Sequence, residues 1–201
     1  MKLLFSLTLA CLAMTGLAMA GPAMRAYQPP LRITVRVLNP ARVPTRTAAE
    51  AERTAADIFK KAGVEIGWLD CEASDACRRE PGFLEFWLHL LDKAPVTGSG
   101  DALGYALLTH APRSEGSYAA MSWSSIRHLT DSMEIGAGPV LGAAITHELG
   151  HLLLDSHSHS HDGVMAERLR TPQLMMAARG ELMFDDYQAK AIRREILRRA
   201  N

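Results

Sequence analysis

The 201-residue sequence lacks an excess of charge of either sign. Its 22 Lys and Arg residues balance 22 Asp and Glu residues, so the formal net charge is zero at pH 7. A broad nucleic-acid-binding surface would need clustered positive charge, and we therefore expect no nucleic-acid partner. The same balance gives no reason to expect docking on an anionic membrane surface.

Long hydrophobic runs are scarce, and the one that exists lies at the N-terminus, over residues 3–17. It follows the positive charge of Lys2 and precedes Ala18-Met19-Ala20, a small-x-small sequence. This arrangement is typical of a Sec-type signal peptide over residues 1–20, cleaved after Ala20. No second span of about 18 apolar residues follows. We expect a secreted or periplasmic protein without stable membrane insertion; a retained anchor and a lipid-modified Cys11 are the alternatives.

Cysteine is also scarce, with three residues in the whole chain. Removal of the signal peptide would take Cys11 away and leave Cys71 and Cys77. In an exported protein such a pair predicts a short disulfide loop, which would stabilise the fold by about 2 kcal/mol in the chain-entropy model. Two free thiols are the alternative. A metal-binding role is not favoured, because the spacing is not C-x-x-C.

The apolar pattern predicts a single α+β domain over residues 31–201, preceded by a mobile segment at 21–30. Alternation of apolar and polar residues predicts strands: these are expected over 31–38, 64–69, 83–91, 102–109 and 117–126. Helices are expected from Thr45 or Thr47 to about Ala62, from Val140 to about Leu154, and from Phe184 to Ala200. The second helix is apolar nearly all round and should be buried. The expected architecture is a mixed sheet of four to five strands packed on that helix.

The second predicted helix carries His147, Glu148 and His151 in the pattern H-E-x-x-H. Residues four apart lie on the same face of a helix, so the two imidazoles could bind one zinc ion, while Glu148 could polarise a metal-bound water. Polar groups in a buried helix need partners, and a metal supplies one. The pattern predicts a catalytic zinc site; two histidines with ordinary hydrogen bonds are the alternative.

The stretch from residue 147 to residue 165 resembles the signature of the metzincin clan of zinc metallopeptidases, H-E-x-x-H-x-x-G-x-x-H followed by a methionine turn. The residues that match in register are His147, Glu148, His151 and His157. Gly163-Val164-Met165 resembles the methionine turn, whose Met lies beneath the metal. The resemblance implies a zincin fold with an N-terminal subdomain to about residue 157 and a small helical C-terminal subdomain from about 158. It also implies a zinc cofactor and peptide or protein substrates.

One departure from the signature leaves the third zinc ligand open. Leu154 replaces the glycine that lets the chain turn after the helix, and leucine does not favour the left-handed conformation. The helix could therefore continue to Asp155 or Ser156, which would shift the ligand. The stretch is also similar to small uncharacterised exported bacterial zincins, and that likeness implies His159. His157 and His159 are thus both candidates, with His161 as a third.

The resemblance implies that Glu148 takes a proton from a zinc-bound water as it attacks a peptide carbonyl. Two other classes remain as alternatives: a non-peptidase zinc amidohydrolase that uses the same site, and a non-catalytic protein that binds metal through its His-Ser repeat.

Substrate could add to the edge of the strand expected over 117–126. Tyr118 and Tyr187 are candidates for stabilising an oxyanion, although packing is the ordinary role of a tyrosine. We do not expect His89, His110 or His128 to bind the metal, because they lie in strand or loop contexts.

Overall fold

A five-stranded mixed sheet is the framework of the domain. The computed structural model describes residues 30–95, 102–108 and 118–201. The strands are β1 (Leu31–Leu38), β2 (Val64–Asp70), β3 (Glu85–Leu91), β4 (Gly104–Leu107) and β5 (Tyr118–Ser122). The helices are α1 (Thr45–Lys61), α2 (Trp123–Met133), α3 (Ala137–Leu154), α4 (Thr171–Ala178) and α5 (Asp186–Ala200). The predicted signal peptide and all but the last residue of the predicted mobile segment lie outside the described residues.

The strands lie in the order β2-β1-β3-β5-β4. The first four strands in this order are mutually parallel, and β4 runs antiparallel to β5. Parallel neighbours need a crossover, and α1 provides it between β1 and β2. The predicted α+β class and the mixed sheet are confirmed.

The predicted strand over 117–126 is wrong in its second half and in its place in the sheet. β5 ends at Ser122, and α2 begins at Trp123. Trp123, Ile126 and Thr130 are the buried residues of α2, and their spacing of three and four is helical rather than alternating. β5 is also an interior strand, so the edge on this side of the sheet belongs to β4.

The sequence also does not predict helix α4, because its eight residues carry only two buried side chains, Leu174 and Ala177.

The core lies between one face of the sheet and helices α1 and α3. Alternate residues of β3, namely Phe86, Leu88 and Leu90, are at most 2% exposed, as expected for a strand with one buried face. Helix α1 also buries one stripe of residues, at Ala51, Ala55, Ile58 and Phe59. Helix α3 is buried on all sides from Val140 to Leu153, which confirms the expectation for a helix that is apolar nearly all round.

Close contact between α1 and α3 depends on a small residue. A Cβ atom at Gly142 would lie 2.5 Å from the carbonyl oxygen of Ala51 and 2.6 Å from Cβ of Thr54. Any side chain there would push the two helices apart. Of the described helices, none is both long enough and apolar enough to cross a bilayer.

Arg36 connects the sheet to the loop that follows β2. The predicted disulfide between Cys71 and Cys77 is present in this loop. Arg36 is fully buried and donates to the carbonyl oxygen of Arg79 at 2.9 Å and to Oε2 of Glu85 at 2.5 Å. Because a buried guanidinium needs a paired charge and several acceptors, Glu85 and the loop carbonyls are what make its burial tolerable.

The pairing of Glu85 predicts an acid-sensitive contribution to stability. Hydrogen bonds from Arg79, from the Gly82 N–H and from Arg36 lower the pKa of Glu85 to about 2 from its usual 4.5. A lowered carboxyl pKa stabilises the fold above the unfolded-state value, and the contribution is lost as pH falls from about 4.5 towards 2. Because its strongest partner, Arg79, has a side chain that is 58% exposed, solvent screening limits this contribution to about 1–2 kcal/mol. We expect Glu85→Gln to lower the free energy of unfolding at pH 7. Near pH 2 the free energies of unfolding of the variant and the wild type should be nearly equal.

Denaturant unfolding at several pH values measures this difference. Glu80→Gln is the matched control, since Glu80 lies in the same loop with an exposed side chain, and it should leave the stability unchanged. A Glu85→Gln difference that stays constant between pH 7 and pH 2 would contradict the role given to the ionised carboxylate.

Candidate metal centre

His147 and His151 lie one turn apart on α3 and face the same point. Both are buried, at 9% and 4% exposed, and their ring centroids are 4.6 Å apart. Their Nε2 atoms approach to 3.0 Å. Such an approach in a buried helix is possible because the i, i+4 spacing stacks the two side chains on one face.

Two backbone carbonyls fix which nitrogen of each imidazole carries the proton. Nδ1 of His147 lies 2.8 Å from the carbonyl oxygen of Val164, and Nδ1 of His151 lies 2.6 Å from that of Ser156. A carbonyl only accepts, so each Nδ1 is the donor and each neutral ring keeps its lone pair on Nε2. Two lone pairs are thus directed at one another across 3.0 Å, an arrangement that is repulsive without a cation between them.

The same geometry fits a zinc ion. Two nitrogen ligands at about 2.0–2.1 Å from a tetrahedral zinc lie about 3.3 Å apart, close to the 3.0 Å between the two Nε2 atoms. Burial, followed by the repulsion of neighbouring imidazoles, lowers the pKa of His147 to about 4, and burial also lowers the pKa of His151 to about 4. Both rings are therefore neutral near pH 7, which is the state that binds metal.

The chain turns away from the helix at Asp155. Helix α3 ends at Leu154, and Asp155 adopts the left-handed conformation with φ 47° and ψ 43°. The N–H groups of Asp155 and Ser156 both donate to the carbonyl oxygen of His151. Aspartate tolerates this conformation better than leucine because its short side chain is polar. The turn thus comes one residue after the position of the metzincin glycine, as the sequence suggested it could.

The later turn brings His159 to the pair on the helix. Its ring centroid is 5.2 Å from that of His147 and 4.9 Å from that of His151. One ligand atom from each of His147, His151 and His159 can be chosen so that all three lie within 4.8 Å of one another, a group that could hold a metal ion. Three imidazoles leave a fourth position open on a tetrahedral metal, as in catalytic rather than structural zinc sites.

The other two candidate histidines lie outside this group of three. The ring of His157 is 5.8 Å from that of His151, farther than the 4.9 Å between the rings of His159 and His151. The side chain of His161 is 96% exposed and contacts Asp162. Two hydrogen bonds donated by backbone N–H groups fix the segment that carries these histidines. The N–H of Ser158 donates to Oγ of Ser156, and the N–H of Ser160 donates to the carbonyl oxygen of Met165.

Glu148 follows His147 on the buried helix and is 8% exposed. Burial raises its pKa to about 8 from the usual 4.5. A carboxylate in such surroundings binds a proton more readily than one in water. Its residue type, its burial and its place beside His147 suit a proton acceptor.

Met165 lies directly against the histidine helix. It is fully buried, and a Cβ atom at Gly150 would lie 2.4 Å from its Sδ and 3.1 Å from Cε1 of Phe184. Gly150 thus lets the Met165 side chain reach the helix backbone between the two histidines. The preceding residues support this turn: Gly163 has φ +79°, and Val164 supplies the carbonyl that accepts from His147.

The remaining predicted residues lie elsewhere. Tyr118 is paired with Trp87 across β5 and β3, so its side chain is on the sheet face opposite Phe86 and α3. Its hydroxyl contacts Nδ1 of His89 at 3.2 Å. This placement makes Tyr118 a poor candidate for an oxyanion at the helix. Tyr187 is 74% exposed in the first turn of α5, His128 is exposed on α2, and His110 lies outside the described residues.

Sequence reasoning missed the groups that orient the imidazoles. These are the carbonyl oxygens of Val164 and Ser156, which every residue type possesses and which no motif can mark. Gly150 did carry a signal, since a glycine inside an otherwise apolar helix often marks close packing.

The fold resembles that of a solved archaemetzincin. No protein-family model matches the chain, and no curated protein sequence does. The crystal structure of archaemetzincin from Methanopyrus kandleri has a TM-score of 0.51 and 17% sequence identity, and the match covers 83% of this chain and 96% of that one. The crystal structure of metalloproteinase-II from Bacteroides fragilis has a TM-score of 0.49 and 12% sequence identity, and the match covers 83% of this chain and 53% of that one. The likeness to archaemetzincin confirms the metzincin-like fold expected from the sequence.

The contact between Gly150 and Met165 generates a stability prediction. A glycine-to-alanine change inside a helix normally gains up to about 1 kcal/mol. Here the added Cβ overlaps the sulfur of Met165 and lies tightly against the Phe184 ring, and such overpacking costs about 1–3 kcal/mol. We therefore expect Gly150→Ala to lower the free energy of unfolding, as measured by denaturant titration.

A double-mutant cycle identifies the cause. Gly150→Ala should cost less in a Met165→Ala background, where the shortened side chain leaves room for the new methyl group. An equal cost in both backgrounds would show that the contact with Met165 is not responsible.

Proposed function

We propose that the protein is an exported, zinc-dependent metalloendopeptidase of the metzincin type. The observation that carries the proposal is the convergence of His147, His151 and His159, whose ligand atoms lie within 4.8 Å of one another next to the buried carboxylate of Glu148. The likeness of the fold to that of an archaemetzincin supports the same activity.

In this proposal His147, His151 and His159 would hold the zinc ion, and Met165 packs against the helix that carries the first two. A bound zinc supplies Lewis acidity, which lowers the pKa of a coordinated water to about 7 and polarises a substrate carbonyl. The carbonyls of Val164 and Ser156 keep the Nδ1 protons of His147 and His151 in place, so that both Nε2 atoms stay available. Such outer partners orient metal ligands and raise their basicity.

Glu148 acts as the general base and then as the general acid. Its carboxylate takes the proton of the attacking water and passes it to the leaving amine nitrogen as the peptide bond breaks. Burial raises the pKa of Glu148 to about 8, and the positive charge of a bound zinc would lower it again, which favours the ionised form that accepts a proton.

The edge strand β4 is the proposed platform for an extended substrate. Arg199 links Leu152, in the last turn of α3, to Phe86 at the start of β3. Because β5 runs parallel to β3 and β4 runs antiparallel to β5, the Leu107 end of β4 lies at this same end of the sheet. A peptide added to β4 through backbone hydrogen bonds would then run past the histidine cluster.

Two further observations bear on export and on the non-catalytic alternative. The disulfide between Cys71 and Cys77 fits an oxidising compartment, in agreement with the signal peptide expected over residues 1–20. A metal-sequestering role for the His-Ser repeat would draw on His157 and His161 as well. The metal-binding group within the described residues instead joins one histidine of the repeat to the two on the helix, which favours a single catalytic site.

The third ligand can be identified by zinc binding. We expect His159→Ala to weaken zinc affinity by more than about 100-fold, since it removes a direct ligand whereas loss of outer-shell partners costs 10–100-fold. His157→Ala is the matched control, two residues away in the same segment, and should change the affinity less than about threefold. Competition with a chromophoric chelator measures both. Loss of zinc in His157→Ala with retention in His159→Ala would reverse the assignment.

Glu148→Gln separates metal binding from catalysis. We expect zinc stoichiometry to remain at about one per chain and hydrolysis of a mixed peptide library to fall by at least about 100-fold, the usual contribution of a general base. Glu65→Gln, at an exposed position of the other edge strand, should keep full activity. A chelator should abolish wild-type cleavage, and added zinc should restore it. Wild-type rates in Glu148→Gln would exclude this mechanism.

A further inference from the structure

We propose that Arg199 is a positioning residue that fixes where the metal-binding helix ends and so delivers His159 to the site. The inference rests on the proposed zinc site. The last turn of α5 would thus contribute to a site whose other residues lie between 147 and 165.

Arg199 is a buried charge that reaches from α5 to α3. Its side chain is 2% exposed, and its Nη2 donates to the carbonyl oxygen of Leu152 at 2.8 Å. Its Nε donates to Oε1 of Glu195 at 2.8 Å, and its guanidinium lies 5.3 Å from the centre of the Phe86 ring. The cation is thus held between the end of α3, its own helix and the sheet.

The Leu152 carbonyl lies at the point where α3 stops. In a continuing helix it would accept from the N–H of Ser156. That N–H donates instead to the carbonyl oxygen of His151, at 3.3 Å, and Arg199 supplies the donor for Leu152. The carbonyls at a helix end need partners from outside the helix, and a positive charge there also complements the helix dipole. Arg199 therefore stabilises the helix that ends at Leu154 relative to one that continues.

The position of this end matters to two of the three histidines. The turn at Asp155 places the carbonyl of Ser156 2.6 Å from Nδ1 of His151, which orients that ring. The chain then needs three further residues to reach His159. If the helix continued past Asp155, the Ser156 carbonyl would leave Nδ1, and the His159 ring would be rotated and moved along the helix axis.

The sequence of α5 places Arg199 on the inner face. Ile192 and Ile196 are at most 1% exposed, and Arg199 follows them by seven and three residues, on the same helix face. The capping box formed by Asp185 and Gln188 fixes the start of the helix. Arg198 and Arg199 in the last turn of α5 complement the dipole of that helix, and Arg199 in addition contacts the end of α3.

The test compares Arg199→Met with Arg198→Met. Both arginines lie in the last turn of α5 and pair with Glu195, but the side chain of Arg198 is 58% exposed. Zinc affinity is measured by chelator competition below the melting temperature of each variant. Amide hydrogen exchange at Asp155 and Ser156 is measured in metal-free protein. We expect Arg199→Met to weaken zinc binding by about tenfold or more and to speed exchange of both amides. Arg198→Met should match the wild type within about twofold.

A general loss of stability would lower the melting temperature without changing zinc affinity or local exchange in the folded protein. Wild-type zinc affinity and wild-type exchange in folded Arg199→Met would overturn the inference. If Arg199→Met does not fold, Arg199→Lys is used, which keeps the charge but lacks the planar fork. It is expected to weaken zinc binding and to speed exchange of the two amides, and unchanged values for both would overturn the inference.

Failure of the proposed function gives a different result. In that case neither the wild type nor Arg198→Met binds zinc, and the exchange measurement still decides whether Arg199 fixes the end of the helix. If the wild type binds zinc and cleaves peptides while Arg199→Met binds zinc equally well with unchanged exchange, the proposed function stands and the role of Arg199 is wrong.

Discussion

Two hydrogen bonds from imidazole Nδ1 atoms to backbone carbonyls determine what the buried helix can do. The bonds to Val164 and Ser156 leave the Nε2 lone pairs of His147 and His151 facing one another at 3.0 Å. In a buried environment this arrangement is unfavourable for the rings alone and favourable around a cation. A metal centre is the chemical role that accounts for both the orientation and the burial.

Each surrounding element supports that orientation. The Val164 carbonyl is held in place by the turn at Gly163 and by Met165, which packs against the helix at Gly150. The Ser156 carbonyl depends on the left-handed Asp155, and the end of the helix is tied to α5 through Arg199. The sheet and α1 bury the rest of the helix. The small C-terminal part of the chain thus brings His159 close to the pair, packs Met165 against the helix and supplies the carbonyl partners of the other two histidines.

The sequence predicted much of this because burial and helical periodicity are local properties. Four of the five strands, the long helix and the H-E-x-x-H face follow from patterns within a few residues of one another. The sequence predicts too late an end for β5 because Ser122, Trp123 and Ser124 continue the alternation of polar and apolar residues, and only the burial of Trp123 and Ile126 at helical spacing shows that a helix begins there. The choice between His157 and His159 depends on which residue adopts the left-handed conformation that ends α3. Residue identity indicates only that Leu154 disfavours this conformation, and the structure places it at Asp155. The carbonyl partners and Arg199 are contacts between distant segments, which no local pattern contains.

The most direct measurement of the central claim is a crystal structure of the zinc-loaded protein with an anomalous difference map collected at the zinc edge. The account predicts a single strong peak within about 2.0–2.1 Å of Nε2 of His147, Nε2 of His151 and one ring nitrogen of His159, with the carboxylate of Glu148 facing the open side. A peak bound through His157 instead, or no peak between the two helix histidines, would contradict it.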